Sequence, residues 1–284
     1  LAGGELAANG YAWEFAVAHE CQHQETIREM LALLHRARGT VDPYAPSAEF
    51  PPPRPKWIFT KAGEFPMGSE APEAYDNERP VHDCWTDAFE IAARPATVAD
   101  WEAFIAAGGY EHSRWWSPEG LAWRDAEGIA APFYWTGTEQ FTPDGRVPRR
   151  SHEPVWGISA HEAEAYAAWR GARLPSESEW EKAARLAVAR DLRHPHDRRA
   201  HASADLLGHV WQWTSSTFLP YPGFRAFPYD GYSKDHMDGL HRVCRGGSFA
   251  TSPVIARPSF RNWYVPEYRQ GFLGARLARS VRRR

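Results

Sequence analysis

Two histidines four residues apart, His19 and His23, sit in the stretch His19-Glu20-Cys21-Gln22-His23-Gln24-Glu25. On a helix, residues four apart lie one turn above each other on the same face. That spacing lets a single helix offer two imidazoles to one metal ion. Two histidines and a carboxylate would suit a non-heme iron centre, and Glu25 is the carboxylate at hand. Helix geometry sends Glu25 roughly 200° round from His23, so Glu25 is expected to support the site or the packing rather than to ligate. Gln22 flanks the histidine face and can reach a ligand beside the metal. The same residues also match His-Glu-x-x-His, the zinc-peptidase arrangement in which the glutamate is the general base. Its longer form fails, because Thr26 and Glu29 stand where the glycine and third histidine would be. Spacing leaves Glu49 and Glu64 open as further ligands. A packed or solvated histidine pair is the alternative without metal.

These residues need a helix to hold them, and the flanks supply one. Ala12, Phe15, Ala16, Ala18, Ile27, Met30, Leu31 and Leu34 recur at helical spacing, and neither proline nor glycine interrupts from Tyr11 to Arg38. Gly39 and Pro43 close the helix. One helix cannot bury its own apolar face. The chain starts at Leu1, almost on top of this helix, so an N-terminal part is expected to be missing. Residues 41–55 carry six prolines and read as a stiff linker. After it the character changes to short strands, loops and three capped helices. The strands are expected at Trp57–Phe59, Phe65–Ser69, Trp85–Ile91, Val210–Trp213, His241–Arg245 and Phe272–Leu277. The helices are Thr97–Ala107, Ser159–Arg170 with a Ser159/Glu162 capping box, and Glu177–Ala189 behind Ser176. Ser113–Arg150 reads as loops with short strands, and the long loops between about Asp191 and Leu240 as binding or catalytic loops.

Composition narrows the class. The chain has 284 residues, a near-balanced net charge of −3 and 43% hydrophobic residues. No long basic tract points to nucleic acid, and no apolar run reaches the roughly 18 residues of a membrane span. Three scattered cysteines fit a reducing, cytoplasmic compartment better than a disulfide framework. Fourteen tryptophans supply core and suit a pocket for a flat or cationic ligand.

Several ordered stretches together resemble the formylglycine-generating-enzyme-like domain. They are Phe65-Pro66-Met67-Gly68, Ser159 to Ala163, Arg173 to Glu181, Gly208 to Thr214, Arg245-Gly246-Gly247-Ser248-Phe249 and Phe260-Arg261-Asn262-Trp263. The resemblance spans roughly Trp57 to Arg279 and implies an α+β, C-type-lectin-like fold. With the histidine helix before it, read as the last helix of a DinB-like four-helix bundle, the whole resembles the ergothioneine-biosynthesis sulfoxide synthases. The implied boundaries are 1–40 for the partial bundle, 41–55 for the linker and 56–284 for the lectin-like domain.

That resemblance implies an Fe(II) enzyme that uses O₂ to join a thiol sulfur to the imidazole C2 of hercynine (trimethylhistidine). The close relatives, the selenoneine synthases, use a selenosugar instead. His19 and His23 match two of three iron-binding histidines; the third would lie on an earlier helix. Gln22 matches an imidazole contact, and Asn262 and Trp263 match the residues that hold the substrate's carboxylate and cationic end. Tyr229, in Tyr229-Asp230-Gly231-Tyr232, matches the catalytic proton donor, with Tyr232 beside it. Enzymes using γ-glutamylcysteine carry an aspartate and an arginine where this chain has Tyr264 and Tyr268. A neutral sugar-like donor or free cysteine therefore fits better, with Arg269 as a nearby anion contact. The readings weighed are C–S bond formation, C–Se bond formation, a non-catalytic binding module and a zinc peptidase. The implied partners are small molecules and O₂, with neither nucleic acid nor membrane.

Overall fold

The computed structural model describes residues 10–39, 57–193 and 206–281. The expected proline-rich linker, with Pro43 and Glu49, lies outside the described residues, as does part of the long-loop region at 194–205.

Helix α1 runs Tyr11–Arg38 and ends on Gly39 in the left-handed conformation (φ 62°), as a glycine C-cap should. The apolar residues of its helical spacing divide between a docked and an exposed face. The stripe against the rest of the chain is Tyr11, Ala18, Cys21, Glu25, Glu29 and Ala32, all buried. Ile27, Met30, Leu31 and Leu34 lie on the exposed side, with Trp13 and Val17. The reason is chemical. Small residues allow close approach, and two carboxyls find polar partners in the domain, so the docked face is not the greasy one.

The rest is α+β, with short strands in four small sheets. Strands β1 (Trp57–Thr60) and β4 (Phe89–Ala92) pair antiparallel, and β12 (Ala278–Ser280) joins the far side of β4. Strands β2 (Gly63–Met67) and β3 (His82–Thr86) form a ribbon. The expected single strand Trp85–Ile91 is therefore two, broken at Asp87-Ala88 where the chain passes between sheets. Strands β5 (Trp135–Thr136), β6 (Glu139–Thr142) and β7 (Gly145–Pro148) make a meander against which α1 packs. The central sheet has the order β10 (Asn262–Tyr264), β9 (Arg242–Arg245), β8 (Trp211–Thr217), β11 (Leu273–Ala275). The expected strand Phe272–Leu277 likewise splits, giving β11 to one sheet and β12 to another.

Helices α2 (Val98–Ala106), α4 (Ala160–Trp169) and α5 (Glu177–Arg193) form where their caps predict. Thr97 and Ser159 each accept from the third backbone amide, and Asp100 and Glu162 complete the boxes. Glu179 and Ser176 exchange the same pair of bonds. One helix was not anticipated, α3 (Pro118–Glu127). Its signals are local: Ser117 as N-cap, proline in the first turn and Gly128 as C-cap. Trp101, Phe104, Tyr166, Trp211 and Trp213 are buried together in the main core, where much of the tryptophan supply is spent.

The stretches carrying the family resemblance meet in a buried ion network. The Arg245 guanidinium is fully buried and donates to Glu177, Glu181 and the Tyr221 hydroxyl at 2.9–3.1 Å. Arg261 donates to both Glu177 oxygens and to the Asn77 carbonyl. Gly68 donates its amide to Glu181, and a Cβ there would come within 2.6 Å of the Glu78 carbonyl oxygen. Its φ of 91° also demands glycine. Arg261 directly precedes β10, so this network fixes where the edge strand Asn262–Tyr264 lies.

Candidate active site

The docking of α1 is set by Glu25. Its carboxylate accepts from the Trp211 indole at 2.8 Å and from the Ser248 and Thr251 hydroxyls. Burial pushes its carboxyl above the usual range, and the Ser248, Thr251 and Trp211 hydrogen bonds oppose that rise. Glu25 is thus a structural clamp on the helix, in agreement with the geometric argument against its being a ligand. Ser248 belongs to the Arg-Gly-Gly-Ser stretch and Trp211 to β8, so the conspicuous motifs of the domain grip the histidine helix directly.

Six residues before this clamp comes His19. Its Nε2 lies 3.1 Å from Nε2 of His23, with the rings edge-on at 4.5 Å. Phe15 stacks on His19 at 5.7 Å. His23 is exposed and His19 half-buried. Burial, then the neighbouring His23, lowers the His19 pKa and favours the neutral imidazole that binds metals. Two nitrogens 3.1 Å apart, each about 2.0–2.1 Å from one ion, would subtend roughly 95°. That is the angle of adjacent ligands, so the pair fits two positions of a metal's coordination. Among the described residues no group of three His, Cys, Asp or Glu side chains is placed to hold an ion. Glu64 is exposed in β2, paired with Trp85. It does not join the histidines.

Between α1 and β10 lies a cavity of about 170 Å³, lined on the helix side by Gln22, Thr26 and the two glutamates. Asn262, Trp263 and Tyr264 line it from β10, with Tyr232, Trp211 and Phe260 completing the wall. Tyr232 donates to Gln22 Oε1 at 3.2 Å, and its ring lies 6.2 Å from His19 and 6.4 Å from Trp263. Burial, then Tyr75, keeps this phenol protonated well above its usual range. Trp263 stacks flat on Phe218 at 4.2 Å, which fixes its ring. Asn262 donates to the Tyr264 hydroxyl at 3.2 Å, and Tyr264 stacks on Tyr268 at 4.5 Å.

The fold therefore brings His19, His23, Gln22, Tyr232, Asn262, Trp263, Tyr264 and Tyr268 into one neighbourhood. Two expected residues stand apart. Tyr229 is half-exposed, does not line the cavity, and meets the group only through Tyr232, ring to ring at 6.2 Å. Arg269 is buried and already engaged by Glu162 at 2.9 Å and the Ala131 carbonyl. Its guanidinium is tied to α4 through Glu162, apart from the cavity lining. Sequence reasoning missed Glu29 as a cavity residue. Its spacing of four from Glu25 was the available signal, hidden because a charged residue on a helix ordinarily faces water.

Residues 44–204 and 196–281 match the sulfatase-modifying factor enzyme 1-like domain. A hercynine oxygenase of Mycolicibacterium smegmatis is 39% identical over 96% of this chain and 72% of its own length. The chain belongs to the hercynine oxygenase family. A Neurospora crassa protein named ergothioneine biosynthesis protein 1 is 46% identical over a shorter stretch, 26% of this chain and 9% of that protein. Among solved structures, PvdO from Pseudomonas aeruginosa shares the fold. Its TM-score is 0.50 at 20% identity, covering 79% of this chain and 94% of PvdO.

Proposed function

We propose that this chain is an oxygen-dependent oxidoreductase of ergothioneine-type biosynthesis, joining a sulfur or selenium donor to the imidazole C2 of hercynine. The observation that carries this reading is the single cavity shared by the histidine helix and β10, in which Gln22, Tyr232, Asn262 and Trp263 converge beside His19 and His23. His19 and His23 would hold an iron(II) ion, which supplies dioxygen activation, with a third histidine coming from a DinB-like helix that packs on the exposed apolar side of α1. A peptidase would use none of these convergent residues, so the His-Glu-x-x-His reading has nothing in the cavity to support it.

The chain's own residues then divide the work. Gln22, fixed by Tyr232, contacts the imidazole and turns C2 toward the histidine pair. The Trp263 face suits a trimethylammonium group, and the Asn262 amide can donate to the carboxylate. In the sulfur reaction the C2–H and S–H bonds break, C–S and S–O bonds form, and the second oxygen atom leaves as water. A phenol suits the proton delivery this needs, being neutral at pH 7; Tyr229 is assigned that role, with Tyr232 holding Gln22. Tyr264 and Tyr268 favour a donor without a charged γ-glutamyl group, which gives the selenosugar reading its support.

Paired variants test the division. Tyr229→Phe should slow coupling by about 100-fold, within the usual range for general acid catalysis, while the hercynine KM stays near wild type. Tyr232→Phe should instead raise that KM. The reverse pattern would move the proton-donor role to Tyr232.

A further inference from the structure

The cavity holds a group the reading above does not use. Glu29 lines it, is 7% exposed, and has an Oε1 with no hydrogen-bond partner. The Phe272 backbone amide is the one donor to its carboxyl among the described contacts. An unpartnered buried oxygen is costly; as a carboxylate Oε1 accepts from a hydroxyl or an ammonium, and as the neutral acid it exchanges hydrogen bonds with a hydroxyl. Hercynine's quaternary ammonium has no N–H, and its imidazole belongs at the Gln22 end, two helical turns away. The second substrate is left. The cavity lining includes no lysine, arginine or histidine among the described residues, so nothing in it favours an anion.

We propose that Glu29, with Tyr264 and Tyr268, forms the donor subsite and selects a sulfur or selenium donor whose far end carries a hydroxyl or ammonium rather than a carboxylate. This rests on the coupling function proposed above. Glu29 faces Glu25 on its own helix, Tyr264 and Tyr268 from β10 and the turn after it, and Tyr134 from the loop before β5. Burial, then Glu25, raises its carboxyl to about 8. Below that pH the site is a neutral acid. Above it, a buried negative charge repels anionic donors and attracts ammonium.

Kinetics on the iron-loaded protein, with the helix that carries the third histidine present, test this with three donors: cysteine, 1-thioglucose and γ-glutamylcysteine. Either of the first two should exceed γ-glutamylcysteine by about tenfold or more in kcat/KM, and Glu29→Gln should raise the KM of the preferred donor by about tenfold. The hercynine KM should not move. An advantage of cysteine that grows as pH passes 8, and vanishes in Glu29→Gln, identifies the ammonium; a 1-thioglucose preference without it identifies the hydroxyl. Unchanged donor KM values in a folded Glu29→Gln protein, or a change in hercynine KM instead, would overturn the proposal. Calorimetry on metal-free protein gives an independent reading with serine and glucose, which lack the thiol. Binding of serine near pH 8 should release protons, seen as a buffer-dependent heat that Glu29→Gln abolishes, whereas binding of glucose should weaken about tenfold in Glu29→Gln without that heat. Absence of both effects overturns the donor subsite, whereas absence of coupled product from wild type, with either effect present, indicts the coupling function alone.

Discussion

At the scale of single residues, two glutamates one turn apart do opposite jobs. Glu25 is fully partnered, by Trp211, Ser248 and Thr251. Removing its carboxylate strands three buried donors, so Glu25→Ala should cost about 2–4 kcal/mol, measured by chemical denaturation. Amide exchange along α1 should quicken with it. Glu29 is under-partnered, and its pKa is raised from 4.5 to about 8. For an acid raised on folding, the folded chain keeps a proton that the unfolded chain has lost. Its stabilising contribution is whole below pH 4.5 and declines as pH rises toward 8. The slope is about 1.4 kcal/mol per pH unit. Denaturation of wild type and Glu29→Gln between pH 5 and 9 checks this: the variant should lose that slope and gain stability relative to wild type as pH rises. The histidine pair was legible from its spacing alone, because spacing on a helix fixes a shared face. The partners of Glu25 and Glu29 were not, because they come from strands and loops more than 180 residues away in the chain.

At the scale of elements, α1 shows what periodicity can and cannot tell. The spacing that predicts a helix over Tyr11–Arg38 is right, and Gly39 ends it. Which face docks is decided by the domain's donors, not by the helix's own hydrophobicity, so Ile27, Met30, Leu31 and Leu34 are left facing away from the domain. Capping residues were the more reliable guides, for α2, α4 and α5. The breaks between β3 and β4, and between β11 and β12, were hidden because the apolar patterns run on while the chain changes sheets. The stretches carrying the family resemblance prove largely to be scaffold. Glu177, Arg245 and Arg261 brace α5, β9 and β10 together. Breaking a buried pair leaves a charge uncompensated, so Glu177→Ala should lose about 3–5 kcal/mol, read by denaturation. Because Arg261 sets β10, binding of hercynine should weaken as well, by calorimetry at a temperature where the variant stays folded.

At the scale of the whole molecule, the site belongs to neither part alone. The lectin-like domain supplies the β10 wall and the donors that clamp α1; the helix supplies the histidines, Gln22 and Glu29. Two imidazoles on one helix form only a partial coordination set, and a protein titrated with iron(II) should lose binding when His19 or His23 becomes alanine. Loss in both variants would tie the metal to this pair, and retention in either would remove it from the site. The central claim is the coupling reaction itself. Incubating the protein together with the helix that carries the third histidine, anaerobically with iron(II) and hercynine, then admitting O₂ with cysteine, γ-glutamylcysteine or a selenosugar, and following product mass, tests it most directly. The predicted result is a product with the donor's sulfur or selenium bound at the imidazole C2, formed only when O₂ is admitted. An iron-bound protein with all three histidines that consumes none of the three donors, and returns hercynine unchanged, would contradict the account.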